Sequence, residues 1–113
     1  MTSYSPYKAI SDGTRRQILD LLRIEDLTAG VIADQFRSNK LSRTAISKHL
    51  RILRQSGLVL VTKIGRERIY TINARPLHEV DMWLKQYEKY WDRQLLAFKE
   101  YVESDAGKEK DDG

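Results

Sequence analysis

Apolar positions recur at helical spacing along most of this chain and alternate at strand spacing in one short region, so the pattern predicts helices interrupted by a hairpin. The stretch from Leu41 to Val59, LSRTAISKHLRILRQSGLV, organises the rest. Ile46, Leu50 and Leu53 follow one another at steps of four and three, which aligns them on one helical stripe. Ser42 precedes that stripe as an N-cap and Gly57 follows it as a residue free to end the helix in a left-handed turn, so a helix is expected over 42–56.

Upstream, Tyr4 to Ile10 reads as a short helix, and Asp12 caps a second one running through GTRRQILDLLR. In that second helix Ile18, Leu19, Leu21 and Leu22 form the inward face, while Arg15, Arg16 and Arg23 stay wet. Leu27-Thr28 begins a third helix reaching about Phe36, with Thr28 as cap and Val31, Ile32 and Phe36 inward. Arg37 to Leu41 is a polar connector. A short helix, a brief turn and a longer basic helix make a helix-turn-helix.

Downstream, Leu58 to Ile64 is apolar and β-branched, and Arg68 to Ile72 alternates with period two. Gly65-Arg66-Glu67 lies between them as the turn of a hairpin. Pro76 then opens a long helix in which Leu77, Val80, Leu84, Tyr87, Trp91, Leu95, Phe98 and Val102 advance by three or four residues, with Trp83, Tyr90 and Tyr101 widening the stripe. A helix of that length reaches about 40 Å, and it carries more apolar surface than a small helical core can cover. The surplus implies a second copy of the chain related by a two-fold axis. From Ser104 the sequence turns small, charged and aperiodic, which predicts a disordered tail over 104–113. The fold class is therefore mainly α with a small β-hairpin (α+β): a winged helix-turn-helix over 1–103 with a long C-terminal dimerisation helix.

Charge changes the picture more than composition does. Across 113 residues the net charge is only +4, but residues 37–75 hold ten basic side chains against one acidic, a balance of +9, between flanks of −1 and −4. A polycationic middle third is the electrostatic footprint of a nucleic-acid surface. No acidic residue occurs between Leu41 and Val59, and the face of the helix opposite its apolar stripe carries Arg43, Thr44, Ser47, Lys48 and Arg51, donors suited to base edges and phosphates. Lys63, Arg66 and Arg68 gather at the hairpin tip, within reach of a minor groove. Arg15, Arg37 and Lys40 are candidates for contact with the DNA backbone.

Other chemistry is thin. There is no cysteine, which removes disulfides, thiol switches and thiolate metal sites. His78, Glu79, Asp81, Glu88 and Asp92 could place a nitrogen and oxygens around a cation shared across a dimer, but a solvated helix face accounts for the same residues, and neither metal nor cofactor is assigned. His49 borders the buried stripe, as a packed and hydrogen-bonded imidazole does. No phosphate-binding glycine loop, nucleophile elbow or Ser/His/Asp set is present, so an enzyme is not expected. Neither an export segment nor a membrane span is visible, which places the chain in the cytoplasm. A winged helix serving only as a protein-interaction or dimerisation module, without sequence-specific DNA binding, is the alternative.

Lys8-Ala-Ile-Ser-Asp-Gly-Thr-Arg-Arg-Gln-Ile-Leu-Asp-Leu-Leu22, Leu27-Thr28, AISKHLRILRQSGLV from Ala45 to Val59, and Gly65-Arg66-Glu67-Arg68-Ile69-Tyr70 together resemble the ArsR family of bacterial winged helix-turn-helix repressors, over residues 8–102. The resemblance implies a homodimer joined by the first and last helices, which puts Tyr7 beside Leu77, Val80, Leu84, Tyr87, Trp91, Leu95 and Phe98 in the interface. It also implies binding to a double-stranded palindromic operator that blocks transcription. By motif position Arg43, Thr44, Ser47, Lys48 and Arg51 look like the major-groove set, and Arg66 and Arg68 like the wing set. The long tryptophan-rich last helix is similar to the metal-independent, SdpR-like branch. The connector Arg37 to Leu41 is about two residues longer than the family pattern, and Val31 stands where the third helix's capping glutamate is usual. An inducer, if the protein takes one, would occupy the cleft lined by Trp83, Tyr87 and Trp91.

Overall fold

The computed structural model describes the backbone of residues 4–112 and the side chains of residues 4–104. The chain divides into two compact units, Met1–Val80 and Asp81–Gly113.

The first unit begins with α1 (Pro6–Ala9), whose cap Ser5 accepts a bond from the Lys8 N–H at 3.1 Å. Asp12 caps α2 (Gly13–Ile24), its carboxylate accepting from the Arg15 N–H at 3.1 Å. Thr28 caps α3 (Ala29–Gln35), and Ser42 caps α4 (Arg43–Gln55), each through its side-chain oxygen. Four successive helices thus start on a residue able to satisfy an N–H that the first turn leaves open. The hairpin strands are β2 (Val59–Ile64) and β3 (Glu67–Ile72), and α5 (Leu77–Lys85) follows.

Leu27 and Thr28, expected only as the start of the third helix, form a further strand, β1 (Leu27–Thr28). It pairs antiparallel with β3, Leu27 opposite Tyr70 and Thr28 opposite Ile69, giving a three-stranded sheet in the order β1-β3-β2. Thr28 therefore belongs to a strand by its pairing and to a helix by its hydroxyl. A two-residue strand is too short to show an alternation, which is why the sequence pattern missed it.

Ile18, Leu22, Ile32, Ile46, Leu53, Leu58 and Val59 are fully buried and join the helix-turn-helix to the base of the wing. Each contributes about 1.5–3 kcal/mol of transfer free energy. Two inward assignments need correction: Val31 is exposed and Leu21 only half-buried, because the short α3 and the outer edge of α2 each present one turn to solvent.

The second unit corrects the picture of one uninterrupted final helix. α5 ends at Lys85 and α6 (Glu88–Asp112) begins after Gln86 and Tyr87. At the join the Gln86 and Tyr87 N–H groups bond to the Trp83 and Leu84 carbonyls, three residues back rather than four, which tightens the turn and breaks the α-helical ladder. The ladder resumes where the Trp91 N–H meets the Tyr87 carbonyl at 2.9 Å. No proline or glycine marks this position, so nothing in the composition announces the break. The expected tail is also helical, from Ser104 through Asp112, since extending a formed helix adds a hydrogen bond per residue without a new nucleation cost. Among the described residues no helix is long and apolar enough to cross a membrane.

Candidate nucleic-acid interface

The recognition helix α4 is fixed at both ends. At its start the Ser42 hydroxyl accepts from the Ala45 N–H at 3.1 Å. At its end Gly57 takes φ +79°, the Leu58 N–H bonds to the Leu53 carbonyl at 3.0 Å and the Gly57 N–H to the Arg54 carbonyl at 3.0 Å, a Schellman closure. Asn73, leaving β3, donates its side-chain amide to the Gly57 carbonyl at 2.8 Å and its backbone N–H to the Leu58 carbonyl at 2.8 Å, so the end of the helix and the base of the wing are one joint.

Held this way, α4 buries Ile46, Leu50 and Leu53 and exposes Arg43, Thr44, Ser47, Lys48 and Arg51. All five residues assigned to the major groove lie in solvent, and Arg54 and Gln55 extend the exposed surface at the C-terminal end. The polar connector is a 3₁₀ turn, Arg37–Asn39, after which Lys40 adopts a left-handed φ of 61°. Lys40 is exposed, and Arg37 donates to Asp34 at 2.7 Å in an ion pair whose arginine side chain is 77% exposed. Such a pair contributes little to stability, so the guanidinium is free to exchange Asp34 for a phosphate.

The wing turns through Gly65 and Arg66, with Gly65 at φ +63° and Ile64 paired to Glu67. A glycine with positive φ at the first central position of a two-residue loop is the type II′ arrangement. Glu67, expected in the turn, is instead the first residue of β3. The register places Lys63 directly opposite Arg68, so the two cations share one face of the hairpin beyond the core residues Val61 and Tyr70. Glu67 lies on the other face. Like charges set opposite one another destabilise a hairpin, and an anionic partner on that face would reverse the sign.

Arg15 behaves differently from the expectation that it stays wet. Its Nε donates to the Ala9 carbonyl at 2.6 Å, Nη2 to the Lys8 carbonyl at 3.3 Å, and Nη1 to Nδ1 of His49 at 3.1 Å. It is part-buried, and each of its three nitrogens donates one bond within the protein. Asp12 completes the cluster with Oδ2 at 3.9 Å from His49 Nδ1. Burial tends to raise the Asp12 carboxyl, but the backbone N–H bonds from Arg15 and Thr14 and the nearby positive charge of the Arg15 guanidinium outweigh it and lower the group from its ordinary value. His49 is the packed, hydrogen-bonded imidazole the sequence suggested. The role of Arg15 left no mark in the sequence, because a surface-spaced arginine and one folded back onto a neighbouring helix end look alike.

The residues assigned to a dimer interface divide. Val80, 9% exposed, is buried within the first unit, Leu77 packs against its core, and the Tyr7 hydroxyl donates to the Glu79 carbonyl at 3.1 Å. Leu77 and Val80 are thus largely consumed by the chain's own packing. In the second unit Leu84 is half-buried, while Tyr87, Trp91, Leu95 and Phe98 are exposed, the last two at 66%. Tyr90, Leu96 and Tyr101 are exposed as well. Trp83 packs edge-on against Tyr87 with ring centres 5.2 Å apart. Among the described residues no three His, Asp or Glu side chains gather in a cluster able to hold a metal ion.

A capped basic helix following a short helix and turn, with a hairpin wing behind it, defines a winged helix-turn-helix protein of the DNA-binding kind. Residues 10–62 match the family described as a helix-turn-helix domain. The chain is 39% identical over 89 residues to the transcriptional repressor SdpR of Bacillus subtilis, spanning 79% of this chain and 96% of that protein. It is 30% identical over 99 residues to the HTH-type transcriptional regulator Rv2034 of Mycobacterium tuberculosis, spanning 88% and 87%. Its fold superposes on an ArsR-like transcriptional regulator from Rhodococcus sp. RHA1 with a TM-score of 0.67 and 38% identity, over 88% of this chain and 89% of the other. The chain belongs to the ArsR family of winged helix-turn-helix regulators, and it is a DNA-binding transcriptional regulator.

Proposed function

We propose that the protein is a homodimeric repressor, acting in the cytoplasm, that binds a palindromic operator with one α4 in each of two successive major grooves. The observation that carries the reading is the exposed, acid-free face of α4 together with a wing whose two opposed cations stand on the face away from Glu67. Arg43, Thr44, Ser47, Lys48 and Arg51 read base edges, Lys63, Arg66 and Arg68 enter or flank the minor groove, and Arg37 and Lys40 meet phosphates. Supporting a dimer is the exposed aromatic and aliphatic surface of α6, with Trp91, Leu95 and Phe98 along it and Tyr87 just before its start. Repression accords with the role of SdpR, a transcriptional repressor.

Two helices inserted one DNA turn apart place half-site centres about 34–36 Å from each other. Selection of bound fragments from random duplex DNA, repeated at two salt concentrations, tests the reading. An inverted repeat with half-sites one turn apart, bound more weakly as salt rises, supports it. A selected site without symmetry, or affinity indifferent to salt, overturns it.

A further inference from the structure

Two sets of hydrogen bonds meet on the short helix α1, one reaching α5 and the other reaching the recognition helix through α2. The Tyr7 hydroxyl of α1 donates to the Glu79 carbonyl of α5 at 3.1 Å. The next carbonyls of α1, Lys8 and Ala9, accept from Arg15 of α2 at 3.3 and 2.6 Å. The same guanidinium reaches His49 of α4 at 3.1 Å. Arginine only donates, so Nδ1 of His49 accepts and the ring proton sits on Nε2. His49 lies one residue beyond Lys48 and two before Arg51, on the margin between the buried stripe and the DNA-facing side. Asp12 holds the geometry from below by accepting the Arg15 backbone N–H at 3.1 Å.

From this arrangement we infer that Arg15 is a positioning residue for DNA recognition and not a phosphate contact. The planar fork fastens α4 to the C-terminal carbonyls of α1, and so ties the tilt of the recognition helix to α1 and, through Tyr7, to α5. Three acceptors in three directions require a guanidinium; the ammonium of a lysine is a point charge and cannot meet them together. The inference rests on the reading of α4 as the DNA-reading element.

The experiment uses two duplexes: one selected by the wild-type protein from random-sequence DNA, and one of unselected sequence. Arg15→Gln, Arg15→Lys, His49→Leu, His49→Asn and the double variant Arg15→Gln/His49→Leu are titrated with both at several salt concentrations, with thermal unfolding of each variant recorded alongside. Removing either partner is expected to weaken the selected duplex roughly tenfold, the effect of one lost charge-assisted bond, while the unselected duplex and the salt slope hold. Arg15→Lys should be as impaired as Arg15→Gln. The double variant should be no worse than the single ones, and His49→Asn, whose Oδ1 can stand where Nδ1 accepts, should recover most of the affinity.

A salt slope reduced by about one in Arg15→Gln, with both duplexes weakened alike and Arg15→Lys restoring them, makes Arg15 a phosphate contact and overturns the inference. Additive single effects overturn it too. Should the Arg15 variants fail to fold, the contrast between His49→Asn and His49→Leu decides: equal loss in both is against the inference, and recovery in Asn supports it. Failure of wild-type protein to enrich any duplex is a separate outcome that removes the reading of α4 itself.

Discussion

Lys63 and Arg68 face each other across the wing, paired in register on the same side of the hairpin, with the nearest wing carboxylate, Glu67, turned to the opposite side. Cross-strand pairs are where a two-stranded ribbon gains its stability, and this one carries the wrong sign for that purpose. The fold tolerates the repulsion because both side chains are exposed and water screens them. The arrangement suits binding more than folding.

A trade-off follows. Replacing Lys63 with threonine should raise stability by about 0.2–1 kcal/mol by removing the opposed charges. The same change should weaken binding to every duplex and lower the slope of log affinity against log salt by about one. Arg43→Ala, by contrast, should cost about 1–3 kcal/mol on the selected operator alone, relaxing preference at defined base positions. Denaturant unfolding and salt-dependent titration of the two variants check the pair of expectations, and uniform losses from both would refute the division of labour between wing and helix.

Asp12 links stability to acidity. Its folded pKa is depressed, so the stability it supplies is fully present above the unfolded carboxyl value of about 3.9 and is lost as pH falls through the lowered folded value. Asp12→Asn keeps a capping oxygen but loses the charge that faces Arg15 and His49. Wild type should therefore be the more stable protein at neutral pH, and the difference should shrink as pH drops below about 4. Asp12→Ala, which also removes the cap, should cost about 1 kcal/mol beyond that. Unfolding midpoints across a pH series give the curve; a gap that persists unchanged into strong acid rules the linkage out.

Gly57 sits in the left-handed region, where a side chain is strained whatever space surrounds it. A Cβ there would meet Pro76 Cγ at 3.5 Å, an ordinary contact, so the cost of Gly57→Ala comes from the backbone rather than from a clash. A loss of about 1–2 kcal/mol is expected. Gly57→Asn, which tolerates the conformation better, should lose less, and chemical denaturation of the two variants tests that order.

Much of the fold was legible in the sequence because its signals are local. Asp12, Thr28 and Ser42 announce helix starts, Gly57 an end and Gly65 a turn, and in the structure all five act as read. The exposed basic face of α4 follows from the three-and-four spacing of Ile46, Leu50 and Leu53. What escaped depends on partners distant in the chain. Leu27 and Thr28 become a strand only because Tyr70 and Ile69 lie beside them, and Arg15 turns inward only because Ala9 and His49 offer acceptors. Lys40 takes its left-handed backbone without the glycine that would have signalled it.

The apolar residues of the last two helices separate by what already covers them, and that separation makes the dimer testable. Val80 is enclosed by its own chain, whereas Leu95 and Phe98 stand in solvent on α6. Leu95→Asp or Phe98→Asp should leave the unfolding of the winged domain nearly unchanged, since neither side chain is part of its core. If α6 is where two copies meet, either charge would be buried without a counterion at the centre of the interface. The dimer should then weaken by at least 2 kcal/mol, roughly thirtyfold in dissociation constant. Val80→Asp should instead unfold the domain, because its charge has no exit to water. Sedimentation at several protein concentrations, set beside thermal unfolding, distinguishes the two classes. An α6 variant that keeps the oligomeric state of the wild type would show that the copies meet elsewhere.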